Sequence, residues 1–148
     1  MDVYRDYRVF HDLFVALDEA ERLVLREFNL TPMQYHALLL LDPLDGWRLT
    51  DLSERLLCER STVTRLVDFL EKEGLLNRVA DVDDRRSQRV RLTSAGVALR
   101  ERARASHEAS LRQHFSYLSE EEQQQLYKLH QKLLRALRAD DEDASKAV

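Results

Sequence analysis

Between about Tyr4 and Glu27, apolar side chains recur at Tyr7, Phe10, Phe14, Leu17, Ala20 and Val24, with Leu13 and Leu23 widening the stripe. That three-and-four spacing predicts one long amphipathic helix, ended by Asn29. Thr31-Pro32-Met33-Gln34 predicts the next start. Threonine is a good N-cap, proline suits the first helical position, and Gln34 completes a capping box. This second helix runs through Tyr35, Leu38, Leu39 and Leu41 to a stop at Asp42-Pro43, with Asp45-Gly46 as the turn. A third helix is expected from Thr50, as its cap, to about Leu57. A fourth is expected from about Arg60 to Glu73, stopped by Gly74. Its inward stripe is Val63, Leu66, Val67 and Leu70, and its outward side offers Arg60, Ser61, Thr62, Thr64 and Arg65.

The period then changes from about 3.6 to two. Strands are expected at Leu76–Ala80 and Gln88–Leu92, joined by the acidic-then-basic tip Asp81–Arg86. Thr93 caps a long helix that reaches about Tyr117. At ~1.5 Å per residue, such a helix spans roughly 36 Å. Ser119-Glu120-Glu121-Glu122 is a second capping box. The final helix carries Leu126, Leu129, Leu133, Leu134 and Leu137 on one stripe, and the polar tail from Asp140 is expected to fray.

Helix, tight turn, helix and charged hairpin form the layout of a winged helix-turn-helix. The first, fifth and sixth helices each carry a broad apolar stripe, which a reader domain of residues 31–92 is too small to cover. A second subunit is the economical solution. The expected fold is therefore mainly α with a small β-hairpin wing. It combines a winged helix-turn-helix DNA-binding domain at 31–92 with a helical dimerisation region built from 1–30 and 93–148.

A formal net charge of −4 argues against nucleic acid only until it is divided along the chain. Residues 1–59 carry net −6, while 60–91 and 92–118 each carry net +2. Local basic patches, rather than total charge, govern contact with phosphates. One cysteine excludes an internal disulfide. The absence of a secretory signal and of any apolar run near ~18 residues completes the expectation of a cytoplasmic protein away from membranes.

In a helix-turn-helix, the N-terminal half of the second helix reaches base edges in the major groove. Ser61, Thr62, Thr64 and Arg65 are short polar groups and one long fork donor at that end, with Arg60 beside them. Arg65 suits a guanine; Ser61 and Thr62 suit phosphate, aided by the helix N-terminus. Arg86 at the hairpin tip is expected in the minor groove, with Arg85 and Arg89 on flanking phosphates.

The run Asp84-Arg85-Arg86-Ser87-Gln88-Arg89-Val90-Arg91-Leu92-Thr93-Ser94-Ala95-Gly96 and the upstream helix pair from Leu49 to Glu71 resemble the MarR family of bacterial transcriptional regulators. The resemblance covers nearly the whole chain and is most specific from Leu49 to Gly96. It implies that Arg86 is the minor-groove arginine and that Asp84 shapes the wing. It also implies that Asp68 is a recognition-helix acid that pairs with a wing arginine. The implied function is a sequence-specific DNA-binding regulator: a homodimeric repressor on a pseudo-palindromic operator in double-stranded DNA, released by a small aromatic acid. This chain departs from the family in the turn. The family commonly has Gly-Leu-Ser where Leu57-Cys58-Glu59 stands here. A leucine at 57 disfavours a positive φ angle, so a changed turn is expected. Glu59 repels phosphate unless it caps the helix or pairs with Arg60.

The family's effector cleft, transferred here, draws on Phe10, His11, Phe14, Tyr35, His36 and Trp47. Cys58 reads as a small hydrophobe in the turn; an alternative is a redox-responsive regulator that uses this thiol beside Arg55 and Arg60. A further alternative is a winged helix turned to protein contact, as in an anti-repressor. The five histidines lack metal-ligand spacing, so no metal or cofactor is expected. No nucleophile–base pair or Gly-rich phosphate loop points to an enzyme.

Overall fold

The computed structural model describes residues 2–81 and 88–146. Its elements are α1 (Val3–Arg26), α2 (Pro32–Leu40), β1 (Trp47–Arg48), α3 (Leu49–Leu56) and α4 (Arg60–Lys72), followed by β2 (Leu76–Ala80), β3 (Gln88–Leu92), α5 (Ser94–Phe115) and α6 (Glu120–Lys146). The chain divides into two compact units, Met1–Ser110 and Leu111–Val148.

In the first unit, the core lies where α2, α3 and α4 meet the sheet. Leu38, Leu52, Val63, Val67, Leu70 and Val90 are all fully buried. Burying one such side chain contributes roughly 1.5–3 kcal/mol relative to leaving it exposed. An exposed ion pair contributes about 0–1 kcal/mol. The apolar stripe of α4, Val63-Leu66-Val67-Leu70, therefore fixes which face of that helix points outward. Leu25 closes the core from α1 and Ala103 from α5, both without exposed surface.

The start of α2 is as its sequence predicts. Thr31 accepts from the Gln34 amide at 3.3 Å, and Gln34 Oε1 accepts from the Thr31 amide at 2.8 Å. The start of α3 differs. Its N-cap is Arg48, with no side-chain cap hydrogen bond. Thr50 already lies inside the helix, where its hydroxyl donates to Asp51 and its carbonyl accepts from Ser53. The helix begins early because Trp47 and Arg48 are held as a strand, β1, which the sequence reading missed. Two residues are too few to show an alternation. The sheet order is β1-β3-β2, antiparallel throughout, with Trp47 opposite Val90 and Arg48 opposite Arg89.

The turn between α3 and α4 overturns a second expectation. Leu57 adopts φ 52°, ψ 43°, the left-handed conformation that leucine disfavours. The Leu57 amide donates to Glu54 O, and the Cys58 amide donates to Ser53 O. These two bonds form a Schellman closure, in which the left-handed position usually holds glycine. The leucine side chain is 93% exposed, so its packing returns little for this backbone cost. Cys58 is half-buried and packs against the core.

Gly74 ends α4 with φ 71°. The following turn is tied to α5 by Thr93, whose hydroxyl donates to Gly74 O at 2.7 Å and whose Oγ1 accepts from the Gly96 amide at 3.0 Å. A Cβ placed on Gly96 would lie 1.9 Å from Leu75 O. Only glycine lets α5 approach the end of α4 this closely.

In the second unit, Ser119 and Glu122 form the expected reciprocal cap of α6. α6 continues past Asp140 to Lys146, a run with no glycine or proline. Leu129, Leu133, Leu134 and Leu137 are all exposed along this helix. In the first unit, Tyr4, Tyr7, Phe10, Leu13 and Phe14 are exposed along α1.

Candidate nucleic-acid interface

α4 presents the candidate reading surface. Burial of Val63, Leu66 and Val67 leaves Arg60, Ser61, Thr64 and Arg65 exposed and Thr62 half-buried. The Thr64 hydroxyl donates to Arg60 O at 2.9 Å, a bond within the helix that occupies its one donor. Glu59 holds the N-cap position but makes no side-chain cap bond, and it forms no ion pair with Arg60 among the described residues. The carboxylate therefore stands at the reading end of α4 without the compensation that would silence its repulsion of phosphate.

Asp68, on the same helix, pairs with Arg78 of β2, and Arg78 also engages Glu71. Burial works against the Arg78 charge, but the hydrogen bonds and field of these carboxylates more than reverse it, raising its pKa above the ordinary arginine value. The pairing ties β2 to α4 through one arginine and two carboxylates. Glu71 also accepts from the Arg78 amide at 3.2 Å. The sequence reading included Asp68 but not Arg78 or Glu71. The seven-residue separation of Glu71 and Arg78 spans a helix end and a turn, which leaves no periodic signal.

At the loop end of the β2–β3 ladder, Asp81 is a fully buried carboxylate that sequence reading placed in the hairpin tip. Its Oδ2 accepts from Arg48 Nε at 2.6 Å and from Arg89 Nε at 3.1 Å. Arg89 also donates to the Gly46 carbonyl at 3.3 Å. The residue expected to hold a flanking phosphate is thus already anchored inside the sheet. Asp84, Arg85 and Arg86 lie outside the described residues.

The proposed effector residues fall into two groups. Phe10, His11 and Phe14 sit on the exposed side of α1, with His11 Nδ1 3.8 Å from Asp12. Tyr35 is 2% exposed and joins a polar cluster that the sequence did not reveal. His36 Nε2 lies 3.1 Å from Glu21 Oε1, His107 Nε2 lies 3.8 Å from the same oxygen, and His107 Nδ1 is 3.3 Å from the Tyr35 hydroxyl. Burial and the negative charge of Glu21 raise the Tyr35 pKa. Trp47 is a strand residue packed on the core, with the Arg55 guanidinium 5.9 Å from its ring centroid. Among the described residues, no group of three or more His, Cys, Asp or Glu side chains is arranged to hold a metal ion. No described helix is long and apolar enough to cross a membrane.

Comparison with known proteins gives this geometry its context. The MarR family model matches residues 30–88, from just before α2 to the first residue of β3. The HTH-type transcriptional regulator PrsX of Escherichia coli is 33% identical over 88 residues, covering 60% of this chain and 53% of that protein. The chain thus spans about half the length of PrsX. The HTH-type transcriptional repressor MdtR of Bacillus subtilis is 30% identical over 118 residues, covering 80% of this chain and 76% of the relative. Among solved structures, the MepR–DNA complex of S. aureus superposes with a TM-score of 0.73 at 27% identity, covering 92% of this chain and 98% of that one. By sequence and fold, the chain belongs to the MarR family of transcriptional regulators.

Proposed function

We propose that this chain is a homodimeric repressor that reads a pseudo-palindromic operator through α4. The observation that carries the reading is the division of α4. Its apolar stripe is buried, which turns Arg60, Ser61 and Arg65 outward at the end that enters a major groove in helix-turn-helix proteins. Residues 31–92 would form the DNA-binding domain. The helices of 1–30 and 93–148 would form the dimer, in which the exposed apolar faces of α1 and α6 find partners. The printed roles of MdtR as a repressor and of MepR as a DNA-bound protein support this reading by similarity. A small aromatic acid would release the DNA by binding the DNA-incompetent arrangement more tightly. The protein would act in the cytoplasm.

Selection of genomic fragments by the purified protein, at ~150 mM salt to suppress non-specific phosphate binding, tests the proposal. Enrichment of a few fragments that share an inverted repeat supports it. Failure to enrich any fragment, with the protein folded and dimeric, turns the winged helix toward protein contact instead.

A further inference from the structure

Glu59 stands at the very start of the reading helix, and nothing in the protein answers its charge. It is the exposed N-cap residue of α4, with φ −67° and ψ 150° and no side-chain cap bond. Among the described residues, its carboxylate makes no hydrogen bond or ion pair. The neighbouring sequence offers no remedy. Arg60 is adjacent, but residues one apart on a helix do not face each other. Three and four positions on, where a cation would meet the carboxylate, stand Thr62 and the buried Val63.

On DNA, this group needs a donor. The N-terminal residues of a recognition helix reach base edges, so Glu59 leaves water at the same point as Arg60 and Ser61. Phosphates only repel it. The major groove supplies two kinds of donor, the N4 amine of cytosine and the N6 amine of adenine. Adenine sets its amine beside the N7 acceptor, a donor–acceptor pair that an amide side chain matches and a carboxylate does not. Cytosine shows its N4 donor with no acceptor beside it on the same base edge, which suits a group that only accepts.

We infer that Glu59 is a specificity-determining residue that accepts a hydrogen bond from cytosine N4 at one C·G pair in each half-site. The inference rests on the DNA-reading proposal above. It converts an unfavourable charge into selectivity. Where the pair is not C·G, the carboxylate is desolvated without a donor, and the complex is weaker.

The test is competition among singly substituted versions of a fragment that the wild-type protein selects. It is run with the full-length wild type, Glu59→Ala and Glu59→Gln, and thermal melts confirm that each folds. Each base preference is a ratio within one protein, so a general relief of phosphate repulsion in the variants cancels. The wild type should prefer C·G at one pair per half-site by about 5- to 10-fold, and Glu59→Ala should bring the alternatives at that pair within about twofold while the other pairs keep their order. Glu59→Gln should move the preference at that pair to A·T, because glutamine matches adenine N6 and N7. A Glu59→Ala profile that matches the wild type at every pair overturns the inference, and so does a preference lost at an A·T pair instead of a C·G pair. If Glu59→Ala does not fold, the Glu59→Gln profile decides by the same rule. Wild-type protein that selects no fragment overturns the DNA-reading proposal itself.

Discussion

Replacement of Leu57 by glycine should stabilise the protein. Leu57 holds φ 52° and ψ 43° in a Schellman closure, and its side chain is 93% exposed. The left-handed conformation costs an L-residue with a Cβ roughly 1–2 kcal/mol, and glycine avoids that cost. Against this stands the greater unfolded-state entropy of glycine, about 0.5–1 kcal/mol. Little packing is lost, because the leucine touches little. The net expectation is a gain of about 0.5–1 kcal/mol. For a chain of this size, that raises Tm by roughly 1–4 °C. Urea unfolding of Leu57→Gly, Leu57→Ala and the wild type at one protein concentration measures it; the concentration is fixed because dimerisation contributes to stability. Alanine keeps the Cβ strain and should lie within about 0.5 kcal/mol of the wild type, as most surface substitutions do. A Leu57→Gly protein less stable than Leu57→Ala would refute the strain argument, and a Leu57→Ala protein well below the wild type would show that the leucine side chain makes a stabilising contact.

Three other outcomes follow from the same geometry. Gly96→Ala should destabilise by about 2 kcal/mol, since overpacking of about 3 kcal/mol against Leu75 O exceeds the ~1 kcal/mol of helix propensity gained; unchanged urea stability would contradict the close approach. Burial pushes the Asp42 carboxyl upward, but amide donation from Leu44, Gly46 and Asp45, with Arg91 nearby, more than offsets it and holds the pKa below the ordinary range. The resulting stability is present above the unfolded value of about 3.9 and is lost as pH falls through the lower folded value. Asp42→Asn should therefore lower stability at neutral pH and flatten its fall below about pH 4, which acid-denaturation curves of the two proteins compare. Arg65→Ala should relax preference at one base pair per half-site, at about 1–3 kcal/mol, read by competition among single-substituted operators.

Local chemistry made much of the architecture legible. Thr31 and Gln34, Ser119 and Glu122, and Thr93 announce helix starts through short-range hydrogen bonds, and the structure contains each of them. Both hairpin strands also match their expected bounds, because alternation and the flanking turn residues lie within a few positions. What sequence left hidden was non-local. β1 exists because Trp47 and Arg48 pair with β3 more than forty residues away. The buried role of Asp81 depends on Arg48, 33 positions upstream, and no spacing rule connects the two. Leu57 shows a different failure. Intrinsic preference argued against a left-handed leucine, but the need to close α3 and start α4 within three residues overrode it.

The most direct measurement for the central claim is a hydroxyl-radical footprint of the protein on a fragment it selects. A dimer reading through two α4 helices should give two protected patches on one face of the duplex, centred about one helical turn (10–10.5 bp) apart. A single patch, or uniform protection without that spacing, would contradict a dimer reading a pseudo-palindrome through paired recognition helices.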